Sequence, residues 1–138
     1  MPRMTAEELE RFIVDQFPEG RGYSQIVRVT DDAVELLLPF REESLRPGGT
    51  ISGPVMMALA DTGAYYAILA RLGPVALAVT TSLNINFVRK PKPETLYAVT
   101  RMLKLGKQLA VVEVEIQLSS TRELVAHATV TYSIPPVR

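Results

Sequence analysis

The sequence has no cysteine, no tryptophan and only one histidine, His127, among 138 residues. Without cysteine, disulfides, thiolate catalysis and cysteine-based zinc sites are excluded. A single histidine also disfavours a multi-histidine metal site and a serine–histidine triad. His127 falls on the polar face of a predicted strand, so we interpret it as a structural or surface residue. We therefore expect a site that holds no metal ion.

Neither sign of charge is in excess, because 15 Lys and Arg balance 15 Asp and Glu. Nucleic-acid binding would call for a clustered basic surplus, so no nucleic-acid partner is expected. The N-terminus lacks the apolar core of a signal sequence. The most apolar run, residues 55–70, is too short for a membrane span and is broken by Asp61, Thr62 and Gly63. We expect a cytoplasmic protein with no membrane partner, folded as one domain over residues 1–138.

Helical periodicity gives way to strand periodicity along the chain. Thr5 and Glu8 fit a capping box that opens an amphipathic helix over residues 6–17. A long helix is predicted at about residues 54–71, after a loop rich in Gly, Pro and charge over residues 41–53. The predicted strands run from Tyr23 to Thr30 and from Ala33 to Phe40, and later over about 79–87, 95–105, 110–118 and 126–132.

The later strands alternate apolar and polar residues, which is typical of antiparallel strands with one covered face. The run from Val55 to Ala70 is apolar almost all round, which predicts a helix buried on every side. Together these patterns favour an α+β fold in which an antiparallel sheet wraps around one long central helix. Asp61 is the only residue in that run that is charged at neutral pH, and a carboxylate there needs a partner.

Several segments together carry a family resemblance. Ser52-Gly53-Pro54 opens the central helix, and Leu59-Ala60-Asp61-Thr62 places an acid nine positions after Ser52. Further matching segments are residues 83–89, 106–107 and 124–128. The combination, which spans about residues 25–135, resembles the hotdog-fold acyl-CoA thioesterases, and among them the subgroup of the phenylacetate-pathway thioesterase. In that family a His-Gly-Gly sequence stands where this chain has Ser52-Gly53-Pro54.

The resemblance implies a hotdog fold and hydrolysis of an acyl- or aryl-CoA thioester, with coenzyme A as part of the substrate and no separate cofactor. Asp61 would act as general base or as nucleophile. The Gly53 N–H, at a helix N-terminus, would stabilise the oxyanion. The residues expected to contact substrate are Ser52, Pro54, Arg46, Thr80, Thr81, Ser82, Arg89 and Lys107.

Some of these assignments remain open. Alternation places Thr81 on the apolar face of its strand and Thr80 with Ser82 on the polar face, and it does not choose which hydroxyl serves the site. Arg46, Arg89 and Lys107 are candidates for the coenzyme A phosphates, which attract Arg and Lys. For any one of them, an ordinary solvated surface charge is the alternative.

Helix geometry predicts a homo-oligomer. Gly53 and Asp61 are eight residues apart, which corresponds to about 12 Å along a helix. A base must come within about 3 Å of its target or act through one water, so one chain cannot easily supply both groups to one carbonyl. A dimer in which Gly53 of one chain faces Asp61 of the other resolves this, and the resemblance implies the same arrangement, as a dimer or a dimer of dimers.

Two other functions remain open for this fold, because a fold does not fix a function. The first is a non-catalytic protein that binds or senses acyl-CoA, which the replacement of His-Gly-Gly by Ser52-Gly53-Pro54 keeps open. The second and weaker one is a hydratase or dehydratase, for which related enzymes use a His beside the acid.

Overall fold

The structure is a computed structural model, which describes residues 3–16, 24–74 and 78–135. These residues form two α-helices, α1 (Ala6–Gln16) and α2 (Gly53–Leu72). The strands are β1 (Gln25–Val29), β2 (Ala33–Leu38), β3 (Leu45–Arg46), β4 (Thr50–Ile51), β5 (Val79–Phe87), β6 (Leu96–Leu105), β7 (Leu109–Leu118) and β8 (Leu124–Ser133).

Six strands form one antiparallel sheet in the order β1-β2-β6-β7-β8-β5, and α2 packs against its inner face. The alternation places one row of apolar side chains on that face across four neighbouring strands. This row consists of Leu36, Ala98, Ile116 and Ala126, each fully buried. The predicted α+β fold with a sheet around a central helix is thereby confirmed. Within the described residues, no helix is long and apolar enough to cross a membrane.

The capping box predicted at the start of α1 is confirmed. The Thr5 N–H donates to the Glu8 carboxylate at 2.9 Å, and the Glu8 N–H donates to Thr5 Oγ1 at 3.1 Å. Leu9 and Ile13 bury the apolar side of α1. The expected end of this helix at residue 17 and the expected start of the first strand at Tyr23 lie outside the described residues.

Helix α2 begins and ends where its capping residues require. Ser52 is the N-cap, and its Oγ accepts the Val55 N–H at 3.3 Å. Gly73 ends the helix with a φ of +87°, a conformation that a residue with a side chain rarely adopts.

The prediction that α2 is buried on every side is wrong for its first half. Pro54, Met57 and Ala58 are exposed and Asp61 is half-buried, whereas residues 63–70 are all buried. The sheet covers only one side of the first half. Near the end of α2 the N-terminal segment adds cover, as the hydrogen bond from Arg3 N to Ala70 O at 2.6 Å indicates. The exposed side of this first half, Pro54, Met57 and Ala58, is therefore an apolar stripe that a single chain leaves uncovered.

The loop expected over residues 41–53 contains regular structure that the sequence analysis did not predict. A 3-10 turn, Glu42–Ser44, precedes the short hairpin of β3 and β4. Gly48 and Gly49 allow the turn of this hairpin because both have positive φ, +105° and +79°. The Ser44 carbonyl accepts the Ser52 N–H at 2.9 Å, which ties the loop to the start of α2.

Gly63 sets the distance between α2 and the sheet, which yields a stability prediction. A β-carbon at Gly63 would lie 2.8 Å from Thr100 Cγ2 and 3.2 Å from Leu36 Cδ1. Gly63→Ala should therefore lower the free energy of unfolding by about 1–2 kcal/mol, because overpacking outweighs the gain of about 1 kcal/mol in helix propensity. Chemical denaturation measures this change.

The control removes the clashing methyl group and keeps the hydroxyl. Thr100→Ser retains the Oγ that donates to the Val34 carbonyl at 2.9 Å. The double variant Gly63→Ala/Thr100→Ser should regain part of the lost stability relative to Thr100→Ser alone. A higher denaturation midpoint for Gly63→Ala in the wild-type background would contradict the close contact.

Candidate functional site

The Asp61 carboxylate is held through one of its two oxygens. Thr80 Oγ1 donates to Asp61 Oδ1 at 2.5 Å, and the Tyr132 hydroxyl lies 3.0 Å from the same oxygen. That hydroxyl is also 3.1 Å from the Asp61 backbone carbonyl. Asp61 Oδ2 has no hydrogen-bond donor among the described residues. The carboxylate is thus fixed in orientation, and its second oxygen is available to accept a proton.

A β-bulge brings Thr80 to this carboxylate. Thr80 lies opposite Tyr132, but Ser82 lies opposite Thr131, so Thr81 is an extra residue in β5. Thr80 consequently faces α2, and the assignment of Thr80 to the polar face by strict alternation is wrong. Thr81 is also not on the apolar face: it is exposed, and its hydroxyl donates to the Thr131 carbonyl at 3.2 Å. Ser82 is exposed.

Tyr132 is a site residue that the sequence analysis did not identify. It is buried at 2% exposure, and its ring stacks on Tyr65 with centroids 5.9 Å apart. A signal was present, because Tyr132 continues the apolar alternation of β8. A buried tyrosine hydroxyl usually requires a hydrogen-bond partner, and the nearby Asp61 provides one.

The start of α2 presents one unpaired donor, the Gly53 N–H. The Val55 N–H is capped by Ser52 Oγ, and the Met56 N–H bonds the Ser52 carbonyl at 3.3 Å. Pro54 has no N–H. Within residues 3–16, 24–74 and 78–135, the Gly53 N–H has no acceptor. A β-carbon at Gly53 would lie 3.3 Å from the Phe87 ring, so glycine also keeps the approach to this donor open.

A single chain does not bring the two halves of the site together. Gly53 is next to Phe87 at one end of β5, whereas Asp61 bonds Thr80 at the other end. About 12 Å of helix separates Gly53 from Asp61. The chain therefore carries a donor site and a carboxylate site at different places along one edge of the molecule.

The basic residues expected near the substrate divide into two groups. Arg46 is exposed on β3, and Arg89 is exposed and forms an ion pair with Glu123 at 3.6 Å. Both lie near Gly53, at the end of the sheet where β5 finishes. Ile51, two residues before Gly53, donates its N–H at 3.5 Å to the carbonyl of Pro91, two residues after Arg89. Lys107 follows β6 at the opposite end of the sheet, about 30 Å away, which is the length of a ten-residue strand. One chain does not bring Lys107 to the others.

A cleft of about 530 Å³ opens beside the first half of α2. Its walls are α2 from Pro54 to Thr62, the end of β2 at Leu38, and the 3-10 turn with Arg41 before it. Its volume lies within the range of roughly 300–1,000 Å³ common for small-molecule pockets. The cleft begins at Pro54, next to Gly53, and extends to Ser24, which precedes β1; none of the described residues that line it belongs to β5.

Comparison with known proteins agrees with this fold. The family model described as the thioesterase superfamily matches residues 48–125, more than half of the chain. A solved structure from Silicibacter sp. TM1040, provisionally named a thioesterase, is 39% identical with a TM-score of 0.90 and covers 99% of this chain and 95% of its own.

Two more distant proteins extend the comparison. Zebrafish thioesterase superfamily member 2 shares the fold, with a TM-score of 0.84 at 19% identity over 96% of this chain and 99% of its own. Ta0293 of Thermoplasma acidophilum, provisionally named an esterase, is 25% identical over 78% of this chain and 81% of its own length. The matched family model and the six-stranded sheet packed on one long helix together establish that this chain belongs to the thioesterase superfamily and has its hotdog fold.

Proposed function

We propose that this protein hydrolyses acyl- or aryl-CoA thioesters, as the phenylacetate-pathway thioesterase subgroup does, at two equivalent sites of a homodimer. Membership of the superfamily indicates thioester hydrolysis in general. The observation that carries the finer proposal is the Asp61 carboxylate, which is anchored through Oδ1 by Thr80 and Tyr132 and whose Oδ2 has no donor in the part of the chain that the structure describes. That geometry suits a general base, because the oxygen that must accept a proton is oriented and has no donor of its own.

The proposed reaction uses one water and returns every proton. Asp61 Oδ2 takes a proton from water while the water oxygen bonds the thioester carbonyl carbon. The negative charge that develops on the carbonyl oxygen is stabilised by the Gly53 N–H and the positive end of α2. The C–S bond then breaks, the proton passes from Asp61 to the thiolate sulfur, and the free acid and coenzyme A leave.

The edge strand β5 supports the dimer. It pairs only with β8 in the described sheet, and its free edge carries exposed apolar side chains, Val79 and Phe87, with Val88 just beyond. The part of the uncovered stripe around Met57, which is 41% exposed, lies on the same side of the molecule as β5, because Asp61 one turn further along bonds Thr80; Pro54 and Ala58 line the cleft. An open strand edge and an uncovered apolar stripe are what a second copy would cover.

Two-fold symmetry would also join the two halves of the site. Antiparallel pairing of β5 with its copy sets the Thr80 end of one strand against the Phe87 end of the other. Asp61 would then approach Gly53 of the partner subunit. The same two-fold rotation brings the end of the sheet that carries Lys107 towards the end of the partner's sheet that carries Arg46 and Arg89. The coenzyme A phosphates would bind between these two ends. Ser52 and Pro54 would shape the approach to Gly53.

Subunit complementation tests this proposal. Thiol release from a panel of acyl-CoAs should be measured for the wild type, for Asp61→Ala, for Gly53→Pro, and for the two variants mixed after subunit exchange. Each mixed dimer should contain one intact site of two, so activity should recover to at most about half of the wild-type value. No recovery despite demonstrated exchange would show that Gly53 and Asp61 do not form a site across the dimer.

A non-catalytic acyl-CoA-binding protein is the second candidate. The observation that favours it is Pro54. Proline has no N–H, so among the described residues the start of α2 offers an oxyanion one unpaired donor, the Gly53 N–H. Binding of acyl-CoA by the wild type without thiol release would support this function. A hydratase has no such support, because His127 bonds Glu113 at 2.9 Å on the outer face of the sheet, opposite to Asp61.

A further inference from the structure

The cleft beside α2 is built almost entirely from the chain segment that also presents Gly53. Its apolar wall consists of Val55, Ala58 and Leu59 on α2 with Leu38 on β2. Pro54 adjoins both the cleft and Gly53. A thioester whose carbonyl oxygen meets the Gly53 N–H would therefore have this cleft within reach of its acyl group.

The rim of the cleft carries an ion pair with no net charge. Arg41 Nη2 lies 3.1 Å from Glu43 Oε2. The pKa of the Glu43 carboxyl lies below its usual value. The main cause is a hydrogen bond from the backbone N–H of Glu43 to its own carboxylate, and the next causes are the hydrogen bond and the positive charge of Arg41. Both groups are thus charged at neutral pH, and Arg41 is already neutralised. A carboxylate or an ammonium group on the acyl chain would find no unpaired opposite charge on the described walls.

We propose that this cleft binds the acyl group, that it selects uncharged and mainly apolar acyl or aryl groups of medium size, and that it belongs to the chain that donates Gly53. This proposal rests on the proposed function. In each site, one subunit then recognises the acyl group and binds the oxyanion, and the other subunit contributes Asp61. The cleft points towards β1, away from β5, so the acyl group would not cross the dimer interface.

Filling the cleft from two different walls tests the assignment. Val55→Trp enlarges the α2 wall, and Ser44→Trp enlarges the loop wall. Each should lower kcat/KM for hexanoyl-CoA and phenylacetyl-CoA about tenfold or more, and should change kcat/KM for acetyl-CoA much less. Val27→Trp is the matched control, because Val27 is exposed on β1 and does not line the cleft; it should leave both substrates unchanged.

The wild type provides the test of charge selectivity. Hexanoyl-CoA should be hydrolysed with a kcat/KM at least about tenfold above that for glutaryl-CoA, whose acyl chain ends in a carboxylate. Equal rates for the two substrates would overturn the selectivity. Equal losses for acetyl-CoA and hexanoyl-CoA in both tryptophan variants would overturn the assignment of the cleft.

Mixed dimers decide which subunit owns the cleft. When Val55→Trp is mixed with Asp61→Asn, one of the two sites combines an intact Gly53 and cleft from one chain with an intact Asp61 from the other. Hexanoyl-CoA activity should then recover to as much as about half of the wild-type value. If the cleft instead served the Asp61 of its own chain, the intact Asp61 would be paired with the cleft that Val55→Trp fills. The other site would lack the carboxylate, so no activity would return.

Failure of this proposal can be separated from failure of the proposed function. If Asp61→Asn abolishes hydrolysis of every substrate but the cleft variants behave like the wild type, the function stands and the cleft does not bind the acyl group. If the wild type hydrolyses no acyl-CoA, the proposed function is wrong. In that case, binding of hexanoyl-CoA that Val55→Trp weakens and Val27→Trp does not would still support the cleft.

Discussion

Replacing Asp61 by asparagine should lower kcat/KM for thioester hydrolysis by about 10²–10⁴-fold. Asparagine has nearly the same shape, and its Oδ1 can still accept hydrogen bonds from Thr80 and Tyr132. Its Nδ2 cannot take a proton from water. The loss should appear in kcat and not in KM, because the carboxylate acts on the water and not on the bound thioester. Thiol release under saturating and limiting substrate separates the two parameters.

Asp32→Asn is the matched control for this variant. Asp32 is an exposed carboxylate in the turn between β1 and β2, at the end of the sheet opposite to Gly53. The Asp32→Asn variant should show wild-type kinetics. Thermal unfolding of both variants shows whether either change disturbs the fold. Turnover that survives Asp61→Asn unchanged would mean that Asp61 is neither the base nor the nucleophile.

Gly53→Pro should reduce kcat by about 10²–10³-fold, the usual effect of removing one oxyanion donor. Proline is tolerated in the first turn of a helix, so α2 should still form. The substitution removes the one N–H that the capping residues leave unpaired. Thiol-release kinetics measure the loss, and far-ultraviolet circular dichroism checks the helix.

Gly53→Ala separates the loss of the donor from the added bulk. Alanine keeps the N–H but places a β-carbon 3.3 Å from the Phe87 ring. We expect a smaller loss than for Gly53→Pro, and truncation of the ring in Gly53→Ala/Phe87→Leu should relieve part of it. If alanine and proline at Gly53 impair turnover equally, then crowding and not the missing donor explains the effect.

Sequence periodicity predicted the part of the fold that depends on burial. Alternation in β7 and β8 identified the inner face because each strand has one covered side. Ser52 and Gly73 mark the ends of α2 through capping chemistry that is local in the chain. These features depend on near neighbours, so one sequence contains the information that specifies them.

The geometry of the site could not be read in the same way. Whether Thr80 faces α2 depends on a one-residue bulge, and no local pattern in β5 marks where its pairing with β8 shifts. The contact between Tyr132 and Asp61 joins residues 71 positions apart. The exposure of Met57 depends on what the sheet fails to cover, whereas the helix sequence alone predicts burial on all sides. Each of these features is set by tertiary packing.

The bulge in β5 makes the site independent of the side chain at Thr81. Its hydroxyl points away from Asp61 and donates to a backbone carbonyl, so many residues can occupy that position. Deleting Thr81 would remove the extra residue, and Thr80, still opposite Tyr132, would face α2 in regular alternation with Ser82 and Leu83. Related sequences should therefore tolerate both substitution and loss of this one residue, and the hydroxyl that holds the carboxylate is found by its pairing with Tyr132 and not by counting back from Leu83.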